Sequence, residues 1–168
     1  NIVPIRPPRD NWEAAVGAFL EDCRVRNLSA STIENYHWYL TNSARTKTFL
    51  IDHGMTGPAD MTPELMRNMT GELLKSGLSP RTVDTFQRIL KTFIGFCIRE
   101  GYGGEEKALK VAGVRLPKHE PETFTRAEDK IMLDALKDRP RDLMLFDFML
   151  RTGLRLAEVC NVNLDDIV

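Results

Sequence analysis

Two stretches of this chain, fifty residues apart, begin in the same way, and that beginning leaves little choice but helix. Leu28-Ser29 leads to Thr32-Ile33-Glu34, Tyr36 and Leu40, while Leu78-Ser79 leads to Thr82-Val83-Asp84, Phe86 and Leu90. Ser29 and Ser79 suit the N-cap, where a side-chain oxygen accepts from an otherwise orphaned backbone N–H. Pro80 suits the first helical position, where no N–H is missed. Thr62-Pro63-Glu64 starts another helix by the same logic, and Gly77 and Gly101 fit helix C-terminal ends. Ahead of them Trp12, Ala15, Val16, Phe19, Leu20 and Cys23 recur at helical spacing between about Asn11 and Arg26. Four amphipathic helices are therefore expected within residues 10–101. Any two capped amphipathic helices share some features, so the offset of fifty fits either an internal likeness or a coincidence.

After Gly101 the texture changes. Gly103-Gly104-Glu105-Glu106, and then Leu116-Pro117-Lys118-His119-Glu120-Pro121-Glu122, bring polar residues and two prolines that no helix interior accepts. The expected organisation is a tail over 1–9, a helical domain over 10–115, a linker over 116–124 and a second segment over 125–168. Thr125-Arg126-Ala127-Glu128 reads as a capping box ahead of Ile131, Met132, Leu133 and Leu136. A further helix from about Arg139 to Arg151 is dense in apolar residues and is expected to be deeply buried. It stops at Gly153, and the pattern resumes through Leu156, Val159, Val162 and Leu164. No run alternates like a strand, except that Asp166-Ile167-Val168 reads as the entry to one. An element begun without being finished is expected of a chain that has been cut.

Composition narrows the class. Hydrophobic residues make up 42% and charged residues 28%, as in soluble globular proteins, and no apolar run approaches a bilayer span. The opening Asn1-Ile2-Val3-Pro4-Ile5-Arg6-Pro7-Pro8 lacks the apolar core of a signal peptide, so a cytoplasmic location is expected. Cys23, Cys97 and Cys160 are odd in number and set among apolar helical neighbours, which fits buried thiols in a reducing compartment. His37, His53 and His119 share no ligand spacing with them, so neither a metal nor another cofactor is expected. The net charge of −1 hides an asymmetry: residues 1–118 hold 16 Lys+Arg against 13 Asp+Glu, and residues 119–168 hold 7 against 11. The small basic excess lies in the helical domain.

Thr152-Gly153-Leu154-Arg155-Leu156-Ala157-Glu158, followed by Leu164-Asp165-Asp166-Ile167, closely resembles the first catalytic box of the tyrosine recombinase (phage integrase) family. The spacing of Leu-Ser, Thr, Tyr or Phe, and Leu in the two matched helices is similar to that family's core-binding domain. So is the proline-bearing linker leading to Thr125 and Glu128. The resemblance covers about residues 10–168 and implies a mainly α chain. Its first part would be a four-helix, SAM-like core-binding domain, followed by the incomplete, mostly helical start of the α+β catalytic domain. It implies DNA breakage and rejoining through a 3′-phosphotyrosyl intermediate in the complete protein, used for recombination or integration.

Arg155 is the catalytic candidate and Glu158 its companion. Phosphodiester transfer builds negative charge on non-bridging oxygens, and a guanidinium holds two of them with parallel, charge-assisted hydrogen bonds. Gly153 ends the preceding helix in a left-handed conformation, so the next helix begins with Arg155 near its positive end. Glu158, one turn along, is placed to orient the guanidinium or a neighbouring catalytic group. The plain alternative is an i, i+3 surface pair worth only ~0.2–0.5 kcal/mol. The family's remaining catalytic groups, a lysine on a strand hairpin, a histidine–arginine box, a further histidine or tryptophan and the tyrosine nucleophile, lie C-terminal to the first box. Tyr36, Tyr39 and Tyr102 all precede it. This chain alone is therefore expected neither to cleave nor to join DNA.

The expected partner is double-stranded DNA, with other recombinase protomers joining the complete protein and a monomer expected for this chain. On the later matched helix Val83, Phe86, Leu90, Phe93 and Cys97 form the apolar stripe, leaving Arg81, Thr85, Arg88, Lys91, Thr92 and Arg99 opposite. Fifty residues earlier stand Ser31, Asn35, Trp38, Thr41 and Asn42, with Arg45 matching Gly95. Asn35, Trp38, Asn42, Arg45, Arg81, Thr85, Arg88 and Lys91 are the candidate DNA contacts, because cations among short hydrogen-bonding side chains suit phosphates and base edges. By the resemblance, these helices cross on DNA in a C-shaped clamp. A solvated helix face is the ordinary alternative for any one of them. At the level of the whole chain, the rivals are a naturally truncated DNA-binding remnant and an all-helical protein-interaction module.

Overall fold

A computed structural model of the chain describes residues 11–118 and 123–166, apart from the side chains of Asn42 and Leu164. The expected tail, residues 119–122 of the expected linker, and Ile167 and Val168 at the expected strand entry lie outside the described residues. The chain is mostly helical, with no strand among the described residues, and divides into two compact units, Asn1–Lys118 and His119–Val168.

The first unit is built from α1 (Trp12–Val25), α2 (Ala30–His37), α3 (Ala44–Asp52), α4 (Pro63–Lys75), α5 (Pro80–Glu100) and α6 (Glu106–Leu109). The caps read from the sequence are in place: Ser29, Thr62 and Ser79 each accept the backbone N–H of the residue three further on. Gly101 ends α5 in the left-handed region, at φ 77°. The apolar stripe of α5 is buried against α1, with Phe93 edge-on to both Trp12 and Phe19 at 5.0 and 5.6 Å between ring centroids. Such edge-to-face pairs add about 0.5–1.5 kcal/mol each beyond the area they bury.

The second matched segment departs from expectation. Helix α2 runs into a π turn over Trp38–Asn42, Ser43 is extended at ψ 118°, and α3 then begins afresh. The correspondence at an offset of fifty therefore fails beyond residue 42, and pairing Arg45 with Gly95 fails with it. The cause lies in remote donors. The Trp12 indole N–H donates to the Leu40 carbonyl at 2.9 Å, and the Thr46 hydroxyl donates to the Tyr39 carbonyl at 2.7 Å. Those carbonyls are satisfied without a regular α ladder, and the Ser43 N–H reaches back five residues to Trp38 at 2.8 Å.

Past α5 the chain stays on the unit. Gly103 and Gly104 take φ of 100° and 106°, and Gly103 packs so closely that a Cβ there would lie 2.7 Å from that of Ala59. Ala108 of α6 is fully buried.

The second unit contains α7 (Arg126–Ala135), α8 (Pro140–Thr152), the single turn α9 (Leu156–Val159) and a 3-10 turn over Leu164–Asp166. Its capping box forms as read: the Thr125 N–H donates to the Glu128 carboxylate at 2.8 Å, and the Glu128 N–H to the Thr125 hydroxyl at 3.3 Å. The deep burial expected of α8 is not found. None of its residues is buried, and Met144 is 71% exposed. The other two helices of the unit, of 10 and 4 residues, offer too little surface to enclose α8 on more than one side. Cys160 is likewise exposed rather than buried, while Cys23 and Cys97 are buried as expected.

Candidate functional site

The first unit presents a groove of about 670 Å³ between α2 with its π turn and α5. Thr32, Asn35, Tyr36 and Tyr39 form one wall, and Thr85, Arg88, Ile89, Lys91 and Thr92 the other. The lining holds two cations and no carboxylate. Four sequence candidates, Asn35, Thr85, Arg88 and Lys91, thus meet in one place.

Each is positioned by its helix. The N-caps Ser29 and Ser79 fix where α2 and α5 start, and burial of Val83, Phe86, Leu90 and Phe93 sets the rotation of α5. Arg88 is 70% exposed and pairs through Nε with Asp84 Oδ2 at 3.1 Å; this leaves its terminal nitrogens free of any ion pair among the described residues. The half-buried Lys91 donates from Nζ to the Val111 carbonyl. Trp38 is 48% exposed and stands edge-on to the groove residue Tyr39, with centroids 5.0 Å apart.

The other candidates fall elsewhere. Arg81 is exposed in the first turn of α5 and does not line the groove. Arg45 sits on α3 and edges a separate, largely apolar pocket of about 260 Å³ with Phe49, Met69, Glu72 and Leu73. The Asn42 side chain lies outside the described residues. Sequence reading passed over Tyr36 of α2 and Tyr39 of the π turn, which pack against the core yet line the groove. It also missed Asp84, the partner of Arg88, and Gln87, a buried amide beside Phe86 whose polarity on an apolar stripe was the available signal.

In the second unit, Arg155 occupies a sharp corner. Gly153 ends α8 at φ 70°, and its N–H donates to the Met149 carbonyl at 2.9 Å. The Leu154 N–H donates to the Thr152 hydroxyl at 3.3 Å, and Arg155 follows in extended conformation as the N-cap of α9. Glu158 grips it twice: one carboxylate oxygen accepts the Arg155 backbone N–H at 2.7 Å, and the other accepts from Nη1 at 3.1 Å. The Arg155 side chain remains 85% exposed, with most of its N–H donors open to solvent. Since α9 is a single turn, few peptide dipoles align at this corner, and anion attraction rests on the guanidinium itself. Among the described residues no group of three or more His, Cys, Asp or Glu is placed to hold a metal. No described helix is long and apolar enough to cross a membrane.

Comparison with known proteins finds relatives over most of the chain. Tyrosine recombinase XerA of Pyrococcus furiosus is 25% identical over 151 residues, covering 86% of this chain and 51% of that protein. Tyrosine recombinase XerC of Psychromonas ingrahamii is 28% identical over 145 residues, 84% of this chain and 48% of that protein. Tyrosine recombinase XerC of Chlamydia pneumoniae is 26% identical over 176 residues, 91% of this chain and 55% of that protein. This similarity supports the tyrosine recombinase family. The chain spans about half the length of the curated relatives it matches. No family model and no solved structure matches it.

Proposed function

We propose that this chain binds duplex DNA through the α2–α5 groove and takes part in site-specific recombination, with Arg155 a phosphate-holding arginine of the reaction centre. The observation that carries the reading is the groove lining: Arg88 and Lys91 beside Thr32, Asn35, Thr85 and Thr92, without a carboxylate. Cations fix a phosphate backbone, and short amide and hydroxyl side chains read what lies between. Trp38 extends this surface as an exposed aromatic, and Arg81 extends it along α5. The similarity to proteins named tyrosine recombinases supports the same direction.

Arg155 suits the second role for a physical reason. A guanidinium held at its backbone and at one terminal nitrogen by Glu158 keeps donors free for two phosphate oxygens. Glu158 is then a positioning residue. The chain by itself neither cleaves nor joins DNA. Its tyrosines are engaged in aromatic packing within the first unit: Tyr36 on Phe19, Tyr39 on Phe86 and Tyr102 on Phe96. As family members act in higher assemblies on paired sites, other protomers join the complete protein, while this chain alone is monomeric.

Titrating a fluorescent duplex with the chain at rising salt tests the groove. With Arg81, Arg88 and Lys91 each neutralising one phosphate, log affinity falls against log salt with a slope of about −2.7. Binding indifferent to salt overturns the reading. A suicide substrate should show no protein joined covalently to DNA, and an adduct would overturn the inactivity.

A further inference from the structure

The groove wall on α5 is also where the last stretch of the first unit is fastened. Gln87, only 4% exposed, donates from Nε2 to the Ala112 carbonyl at 2.9 Å, and Lys91, one turn along, donates to the Val111 carbonyl. Residue 113 is glycine, and a Cβ there would sit 3.6 Å from Asp84 Oδ1 and 3.9 Å from Gln87 Oε1, so backbone and polar side chains are in close register. Val111 and Val114 pack against the core beside these bonds. From Ala112 to Lys118 no residue belongs to a helix, so side chains of α5 supply the fastening.

We propose that Gln87 and Lys91 form a brace that couples occupancy of the groove to the anchoring of segment 111–118, resting on the reading that the groove takes DNA phosphates. An ammonium carries three N–H donors. One is spent on the Val111 carbonyl, which fixes the head group at the groove wall and leaves two donors for a phosphate. Anchoring therefore pre-orders Lys91 for DNA, and a phosphate on Lys91 in turn favours the anchored segment, because such coupling is reciprocal. Gln87 is a positioning residue: it holds Ala112, which keeps the Val111 carbonyl within reach of Lys91.

Tryptic cleavage and duplex binding of the full chain, compared for wild type, Gln87→Leu and Lys91→Met, test the brace. Both variants should be cut faster than wild type after Lys110 and Arg115, with cleavage after Arg24 unchanged. Gln87→Leu should bind a duplex about three- to tenfold more weakly, the scale of one lost hydrogen bond, with an unchanged salt slope. Lys91→Met should flatten that slope by about 0.9. Unchanged cleavage after Lys110 and Arg115 in both variants overturns the brace. So does faster cleavage in Gln87→Leu with wild-type affinity, which would leave the anchor without a link to DNA. Salt-indifferent binding by the wild type would instead overturn the groove reading, a distinct outcome read before any variant.

Discussion

Replacing Arg88 by Gln tests the groove most sharply, because the structure gives Arg88 a partner whose behaviour is also predictable. Arg88 is 70% exposed and Asp84 only 19%, and they pair at 3.1 Å. In the DNA complex Arg88 contributes a charge-assisted hydrogen bond to phosphate, worth about 1.5 kcal/mol at so exposed a site. Removing it also leaves the Asp84 carboxylate unpaired beside the groove, where a phosphate about 4 Å away costs roughly 1 kcal/mol more in water-like dielectric. The two terms together predict a loss of roughly 2.5 kcal/mol, or about 70-fold in Kd. Adding Asp84→Asn removes the second term and restores about fivefold of that loss. Fluorescence anisotropy with a labelled duplex at constant salt measures all four members of the cycle. Wild-type affinity in Arg88→Gln refutes the placement of the phosphate. A double variant no better than Arg88→Gln refutes the part assigned to Asp84.

Other consequences are independent of DNA. Gly103→Ala forces a Cβ into Ala59 at a φ of 100°, which should cost the first unit roughly 2–4 kcal/mol in urea unfolding, with partial relief when Ala59→Gly is added. Asp60 accepts N–H bonds from Thr56 and Gly57, and these hold its carboxyl below the ordinary aspartate value. Its contribution to stability is present above the unfolded pKa and is lost as pH falls through the folded one. The stability advantage of wild type over Asp60→Ala, measured by urea unfolding at a series of pH values, should therefore shrink as pH falls from neutral through the unfolded aspartate pKa and towards the folded one; an advantage of the same size at every pH would refute the assignment. Burial raises the Cys97 thiol to about 12 and also raises that of Cys23, whereas Cys160 is exposed. Iodoacetamide at neutral pH should add one group, at Cys160, with the other two modified only after unfolding, as mass spectrometry will read.

How much of this was legible beforehand depended on the range of the forces involved. Helix starts are decided within four residues, so Ser29, Thr62, Ser79 and the Thr125–Glu128 box could be read directly. The α5 stripe was equally plain, because a long helix against a core repeats its apolar positions many times. The π turn was not, since it depends on Trp12 and Thr46 donating to the Leu40 and Tyr39 carbonyls, and no window around residue 40 contains Trp12. Arg45 was misaligned for that reason. Density of apolar residues indicated a buried α8, yet burial needs neighbours, and the second unit provides few. The Arg155–Glu158 contact was legible because an N-cap and the residue three further on face each other at a helix start, whereas Asp84 was legible only as part of a helix start and Gln87 bonds a carbonyl 25 residues away.

Hydroxyl-radical footprinting of the full chain, with and without a duplex, reads which face the DNA covers. Trp38 is 48% exposed beside the groove, while Ile51 and Leu74, on α3 and α4, are 78% and 40% exposed. Bound duplex should slow oxidation of Trp38 and of the groove tyrosines Tyr36 and Tyr39, and leave Ile51 and Leu74 unchanged. Protection of Ile51 and Leu74 with Trp38, Tyr36 and Tyr39 oxidised as fast as before would contradict it.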